Sequence, residues 1–133
     1  MILFEGGAWF KVDGASDAAI FELQRMVGVP LPDEYIELLK YSNGGEGDLP
    51  PPFYGFCLDT AEQASDPEQL KISAECYPGL FVIGGDGGAQ LYAFDMSGDA
   101  PFPIVSFDGI DPFASMQRVA DSFAALMFMI GNP

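Results

Sequence analysis

Histidine is absent from this sequence, and basic residues are scarce. Five Lys and Arg stand against twenty Asp and Glu in 133 residues, which gives a formal net charge of -15. Without histidine, the commonest general base is missing, together with the usual hydrolase triads and most catalytic zinc sites. The composition therefore predicts a protein that is not an enzyme.

The shortage of basic residues also bears on the choice of partner. Binding to nucleic acid relies on Lys and Arg side chains that displace counterions, and a strongly negative field repels phosphates and anionic membranes. We therefore expect neither nucleic acid nor a membrane as partner. The charge favours a basic protein, since opposite net charges speed encounter by roughly 10- to 1000-fold at low ionic strength. Solubility alone also accounts for an acidic composition.

Cysteines and long apolar runs are scarce as well. Cys57 and Cys76 lack the C-x-x-C spacing of metal and redox sites, so we expect buried, reduced thiols. The sequence has no apolar run of about eighteen residues and no basic leader at its start, which predicts a cytoplasmic location. By contrast, 49% of the residues are hydrophobic and twelve are Phe. This composition predicts one continuous core in a single domain over residues 1–133.

Capping residues and apolar periodicity divide the chain into helices and strands. Ser16 and Gly28 suit a helix start and a helix stop, and Asn43-Gly44-Gly45 supplies a left-handed stop for a second helix. Three consecutive prolines predict a loop over residues 46–52. The expected helices cover residues 16–28, 32–40, 60–63, 66–77 and 116–130, and the expected strands cover residues 53–59, 80–83, 89–95 and 102–107. Residues 2–12 are assigned to an edge strand or an extended arm.

The strands follow one another through connections that suit antiparallel pairing. The expected fold class is therefore α+β, with a mainly antiparallel sheet and helices packed on one of its faces. Residues 84–88, Gly-Gly-Asp-Gly-Gly, form the turn of a β-hairpin between two of these strands. This turn lacks the Gly-Lys-Ser/Thr ending of a phosphate loop, joins strand to strand, and carries Asp86 at its centre. Phosphate binding is therefore not expected there.

A group of carboxylates flanks the strand that contains Ile104. If Asp95, Asp99, Asp108 and Asp111 met at one end of the sheet, their oxygens would suit calcium or magnesium. They do not have the spacing of a calcium-binding loop, and an Asp beside Gly or Pro stabilises tight turns. We predict no metal and no cofactor. A metal-dependent hydrolase stays as a third class of function that rests on these carboxylates alone.

Three motifs, in this order and spacing, resemble the SUKH domain. Residues 29–35, Val-Pro-Leu-Pro-Asp-Glu-Tyr, followed by Leu38-Leu39 and Asn43-Gly44-Gly45, are similar to its first half. The run Phe81-Val-Ile-Gly-Gly-Asp-Gly-Gly88 with Leu91-Tyr-Ala-Phe-Asp95 is similar to its central hairpin, and Val119-Ala-Asp-Ser-Phe123 is similar to the start of its closing helix. The resemblance spans residues 16–130.

This resemblance implies an α+β fold that binds other proteins through a variable surface, without a reaction of its own. The family includes fungal Smi/Knr cell-wall regulators and many bacterial proteins that look like immunity proteins against cognate toxins. The leading hypothesis is an immunity-type protein that neutralises a basic toxin such as a nuclease. The alternative is a regulatory adaptor or scaffold that binds a cellular partner. The fungal members carry long extra regions that this sequence lacks, so their regulatory role is not transferred.

The segment from Glu46 to Tyr54 is the first choice for a partner-binding loop. It combines the acids Glu46 and Asp48 with the aromatics Phe53 and Tyr54 beside three rigid prolines. Interfaces use aromatic side chains as anchors and acids for steering and specificity. Acidic turns elsewhere complete the predicted surface. The predicted partner-binding residues are Glu46, Asp48, Tyr54, Asp86, Asp95 and Asp99.

Overall fold

A computed structural model describes residues 8–131 of the chain. Within this range the helices are α1 (Asp17–Val27), α2 (Asp33–Tyr41), α3 (Ala61–Ala64), α4 (Pro67–Cys76), α5 (Pro112–Ser115) and α6 (Phe123–Gly131). The strands are β1 (Trp9–Phe10), β2 (Glu46–Asp48), β3 (Gly55–Leu58), β4 (Leu80–Gly85), β5 (Gln90–Asp95), β6 (Ile104–Asp108) and β7 (Gln117–Ala120). The arm or strand predicted over residues 2–12 is a strand at β1, and residues 2–7 lie outside the described range.

The sheet is an antiparallel meander in which every strand pairs with the next strand along the chain. Its order is β1-β2-β3-β4-β5-β6-β7. Since each connection reverses the chain direction, the β2–β3, β4–β5 and β6–β7 connections all lie at one end of the sheet. The remaining connections lie at the other end. This topology confirms the predicted α+β class with a mainly antiparallel sheet.

The main core lies on the sheet face that the helices cover. Tyr35 of α2 is fully buried there. The rings of Phe94 and Phe123 approach it edge-on with centroid distances of 5.4 Å each, and Phe81 approaches it at 6.3 Å. Edge-to-face packing of aromatic rings is favourable beyond the apolar area it buries. Four elements of the structure, α2, β4, β5 and α6, therefore meet around one ring.

The other face of the sheet carries a smaller cluster. Side chains alternate between the two faces along a strand. Accordingly Leu80, Ala93, Val105 and Phe107 pack together away from the main core, with Tyr77 beside them. Tyr77 immediately follows α4, so it joins the end of α4 to this smaller cluster.

Several helix ends match their sequence signals. The Ser16 hydroxyl accepts a hydrogen bond from the Ala19 amide, and Gly28 ends α1 with a φ of 78°. Thr60 and Gln63 form a reciprocal capping box at the start of α3. The predicted left-handed stop of α2 is wrong in detail, because the capping residue is Ser42 with a φ of -150°. Gly44 and Gly45 do have positive φ values, of 108° and 100°, but they lie beyond the helix.

Two predicted elements are wrong. Residues 46–48 form strand β2 instead of a loop, and the closing helix begins at Phe123 instead of Met116. Strand β7 occupies most of residues 116–122, and it pairs with β6 through Val105 and Arg118. In both places pairing with a neighbouring strand overrides the local pattern, since strand formation depends on tertiary context.

Candidate protein-binding surface

Three loops converge at the end of the sheet where β2, β4 and β6 finish. They connect β2 to β3, β4 to β5 and β6 to β7, and they comprise residues 49–54, 86–89 and 109–116. We call this surface, together with the strand residues that border it, the hairpin end. Loops held by a rigid sheet are the part of a fold that most often carries binding function.

Large apolar side chains are exposed at the hairpin end. Tyr54 is 66% exposed in the first loop, and Ile110 and Phe113 are 94% and 57% exposed in the third. A solvated apolar side chain is unremarkable when it stands singly, whereas several at one end of a sheet are typical of interaction sites. These three residues have the character of anchors for a partner.

Acidic side chains surround these apolar residues. Glu46 and Asp48 are exposed on β2, Asp111 is exposed in the third loop, and Asp86 and Asp108 are partly exposed where the second and third loops begin. None of the residues in the three loops is basic. The hairpin end therefore presents negative charge around apolar anchors, which complements a basic protein surface.

The backbone at Tyr54 has an unusual conformation for a residue with a side chain. Its φ is 68°, in the left-handed region that favours glycine. Two hydrogen bonds hold the turn, from the Leu49 amide to the Tyr54 carbonyl at 2.6 Å and from the Gly55 amide to the Phe53 carbonyl at 2.9 Å. Such strain is found disproportionately at functional sites, where the surrounding structure enforces it. The turn projects the Tyr54 ring into solvent.

A cleft of about 430 Å³ lies among the three loops. Phe53 contributes from the first loop, Asp86 borders the second, and Ser115 and Met116 contribute from the third. Tyr92 forms part of its wall and donates a hydrogen bond from its hydroxyl to the Gly55 carbonyl oxygen at 2.9 Å. Burial, reinforced by the charge of Asp86, raises the pKa of Tyr92 to about 12, so the hydroxyl stays a neutral donor.

The glycine-rich turn is organised around Asp86 itself. One oxygen of its carboxylate accepts hydrogen bonds from the Gly88 amide at 2.8 Å and the Gln90 amide at 3.3 Å. Gly87, between Asp86 and Gly88, has a φ of 84°. The amides of Gly88 and Gln90 already donate to an aspartate, so the geometry is that of an acidic hairpin turn rather than a phosphate cradle.

Four of the six predicted partner-binding residues belong to the hairpin end, and two do not. Glu46, Asp48, Tyr54 and Asp86 lie there, whereas Asp95 and Asp99 lie at the opposite end of the sheet. The length of β5 separates the two ends by about 17 Å, at about 3.3 Å per residue. The Asp95 carboxylate accepts hydrogen bonds from the amide and hydroxyl of Ser97, which is turn chemistry.

Sequence reasoning missed Ile110 and Phe113 as surface residues. Both stand in the run Gly-Ile-Asp-Pro-Phe, where residues that favour turns surround isolated apolar side chains. That pattern was the available signal for exposed apolar residues in a loop. Ile110 and Phe113 lie at the same end of the sheet as Tyr54 because of the sheet topology, and no local pattern in the sequence indicates this.

The two cysteines are not joined in a disulfide. Both are free thiols; Cys57 is partly exposed and Cys76 is exposed, so the expectation that both are buried is wrong. The Cys57 thiol donates to the Glu46 carboxylate at 3.5 Å. Burial first, and then the neighbouring charges of Glu46, Asp86 and Asp59, raise the pKa of Cys57. The nucleophilic thiolate of Cys57 is therefore disfavoured.

Two kinds of site are not found in the part of the chain that the structure describes. Within residues 8–131, no three Cys, Asp or Glu side chains come close enough together to hold a metal ion. Asp108 and Asp111 lie at the hairpin end and Asp95 and Asp99 at the other, so the sheet keeps the suspected metal ligands apart. The described helices also include none that is long and apolar enough to cross a membrane.

Fold and surface together define a small α+β protein on a meander sheet, with an acidic loop surface at one end. The family model of the SMI1 / KNR4 family (SUKH-1) matches residues 14–128. The chain therefore belongs to this family, in agreement with the resemblance of its motifs. No curated protein matches the sequence.

Proposed function

We propose that this protein is a non-catalytic binding protein of the immunity type, which neutralises a basic toxin such as a nuclease. Membership of the SMI1 / KNR4 family is consistent with immunity and regulatory roles. The observation that carries the proposal is the hairpin end, where acids surround Tyr54, Ile110 and Phe113. A nuclease is basic around its phosphate-binding cleft, so this surface would attract and cover the cleft.

The two kinds of side chain have separate tasks in this proposal. The acids Glu46, Asp48 and Asp111 steer the encounter and exclude partners of the wrong charge. Tyr54 and Phe113 supply the buried contacts that slow dissociation, because aromatic anchors carry a large share of binding energy at interfaces. In the free protein the acids face solvent and the Tyr54 ring is held exposed by its turn, so both are already positioned for such a partner.

Co-expression with the protein encoded by the adjacent reading frame tests the proposal. We expect the neighbour alone to stop growth, this protein to restore it, and the two to co-purify. If the neighbour is not toxic, or if this protein gives no protection, the antitoxin function is wrong. A harmless neighbour together with a stable partner isolated from the native cell would instead favour the regulatory adaptor.

Charge reversal locates the binding surface in the same assay. The double variant Glu46→Lys/Asp48→Lys changes the charge of the hairpin end by +4, and Asp95→Lys/Asp99→Lys makes the same change at the opposite end. We expect the first to lose protection and the second to keep it. Equal loss in both variants would show that net charge acts at long range without a defined surface, and loss only in the second would place the surface at the other end.

A further inference from the structure

A second cleft lies between the α3–α4 segment and the sheet. Its volume is about 530 Å³, within the range of about 300–1,000 Å³ that is usual for binding clefts. Residues of α3, α4, β4 and β5 line it, with Asp59 at the end of β3. We call it the α4 cleft.

The floor of the α4 cleft is apolar. Leu70 of α4 and Val82 and Leu91 of the sheet line it and are partly exposed to solvent. Tyr77 and Phe81 complete the lining and are almost fully buried. The hydrocarbon stem of a long basic side chain packs well on such a surface while its charged head reaches a polar wall.

Asp59 is the unpaired carboxylate in the wall of this cleft. Within residues 8–131 it accepts no side-chain hydrogen bond and forms no ion pair, although burial raises its pKa. The other two acids of the wall are already engaged, since Glu62 accepts from the Asn43 amide group at 2.8 Å and Asp66 accepts from the Gln69 amide at 3.1 Å. Removing a carboxylate from water without a partner costs free energy, and a cation would offset that cost.

The environment behind Asp59 is the apolar core. The hydroxyl of Tyr35 is buried there without a hydrogen-bond partner among the described residues, and burial followed by the charge of Asp59 raises its pKa. Asp59 is itself only partly exposed, so screening of its carboxylate by water is reduced. A cation that reached Asp59 from the cleft would therefore be attracted more strongly than one at an ordinary surface acid.

We propose that the α4 cleft binds a basic side chain from a segment of a protein partner, with Asp59 as its counter-ion. The stem of the lysine or arginine lies on Leu70, Val82 and Leu91, and its charged head meets the Asp59 carboxylate. This occupant matches the apolar floor and the free carboxylate together, which an acidic or purely apolar segment would not. The site is separate from the hairpin end and does not depend on the function proposed for it.

Titration of the full chain with a short peptide tests this site by NMR. The probe is Gly-Arg-Lys-Gly, and the control peptide is Gly-Gln-Gln-Gly. We expect saturable shifts of backbone amides around the cleft, including those of Gln69 and Val82, with the basic peptide only. Asp59→Asn should weaken the peptide's affinity about tenfold, as expected for the loss of one charge-assisted hydrogen bond.

The matched control is Asp121→Asn, which removes one exposed charge just after β7, the edge strand that lies four positions from β3 in the sheet. We expect it to leave the peptide's affinity unchanged within about twofold, since exposed charges contribute little. Equal weakening by both variants, equal binding of both peptides, or the absence of saturable shifts would each overturn the proposal. In the unaltered protein, bound peptide should lower the pKa of Asp59, followed by its side-chain carbon shift, and an unchanged pKa would contradict the assignment.

Discussion

Tyr54 combines a solvent-exposed ring with a backbone conformation that suits glycine. Its φ of 68° carries a cost that a glycine would not have, and its ring is 66% exposed and gains little from burial in the free protein. The residue therefore lowers the free energy of unfolding, and burial of its ring offsets little of that cost in the free protein. A contact made only in a complex would explain why an aromatic side chain occupies this turn.

Replacement of Tyr54 separates the free-energy cost of its strained backbone from the contribution of its ring to binding. Tyr54→Gly is expected to increase the free energy of unfolding by about 1 kcal/mol relative to Tyr54→Ala, because both remove the ring and only glycine relaxes the backbone. Urea denaturation of the two variants measures this difference. Both should bind the partner more weakly than the unaltered protein. Equal stability of the two variants would show that the turn is not strained.

Strand β2 shows how an element of weak propensity is held in place by its neighbours. Its sequence is Glu-Gly-Asp, which has none of the residues that favour strands. Gly47 pairs with Trp9 on one side and Phe56 on the other. A Cβ atom at Gly47 would lie 2.8 Å from both the Trp9 ring and the Ile130 side chain. The glycine therefore permits the close approach of β1 and α6 that turns this segment into a strand.

Gly47→Ala is accordingly expected to lower the free energy of unfolding by about 1–3 kcal/mol, the usual cost of overpacking. Gly98→Ala is the control, because a Cβ atom at Gly98 meets no atom within 4 Å. We expect the control to change stability by less than about 0.5 kcal/mol. Chemical denaturation of both variants measures the difference. An unaffected Gly47→Ala protein would show that Trp9 and Ile130 move aside at no cost.

At the scale of the whole molecule, the dominant property is unbalanced negative charge. The formal net charge is -15, and in residues 8–131 the ion pairs are Arg25 with Glu22 and Arg118 with Asp121, both exposed. Most of the acids in this range consequently have no cation paired with them. Self-repulsion destabilises the compact state, and the same field accelerates the approach of a basic partner.

Salt should therefore stabilise the protein. We expect the melting temperature to rise between about 10 mM and 150 mM sodium chloride, as the Debye length falls from about 30 Å to about 8 Å. Differential scanning calorimetry at neutral pH measures it, and potassium chloride at equal ionic strength should have the same effect if screening is the cause. A melting temperature that stays flat or falls would show that the acids are effectively dispersed. A rise with only one of the two salts would indicate binding of a specific ion.

The sequence by itself determined those parts of the structure that depend on residues close together along the chain. Ser16 and Thr60 cap helices because each reaches an amide three residues on, and Tyr35, Leu38 and Leu39 share one buried face because of helical periodicity. The β4–β5 hairpin follows from apolar alternation around a glycine-rich turn, and the acidic field follows from composition. These features, with the motifs of the SUKH domain, were enough to predict the fold class and the family.

Tertiary structure alone decided which distant residues share a surface. Strand β2 pairs with β1 across residues 11–45, and β7 pairs with β6 across the loop 109–116, so the pattern within each segment suggested a loop and a longer helix instead. The direction of each strand then placed Tyr54 at the same end as Ile110 and Asp86, and Asp95 at the other. It likewise placed Asp59 in a cleft with Leu91. The physical reason is that strand register and direction are set by contacts across the sheet, which adjacent residues do not encode.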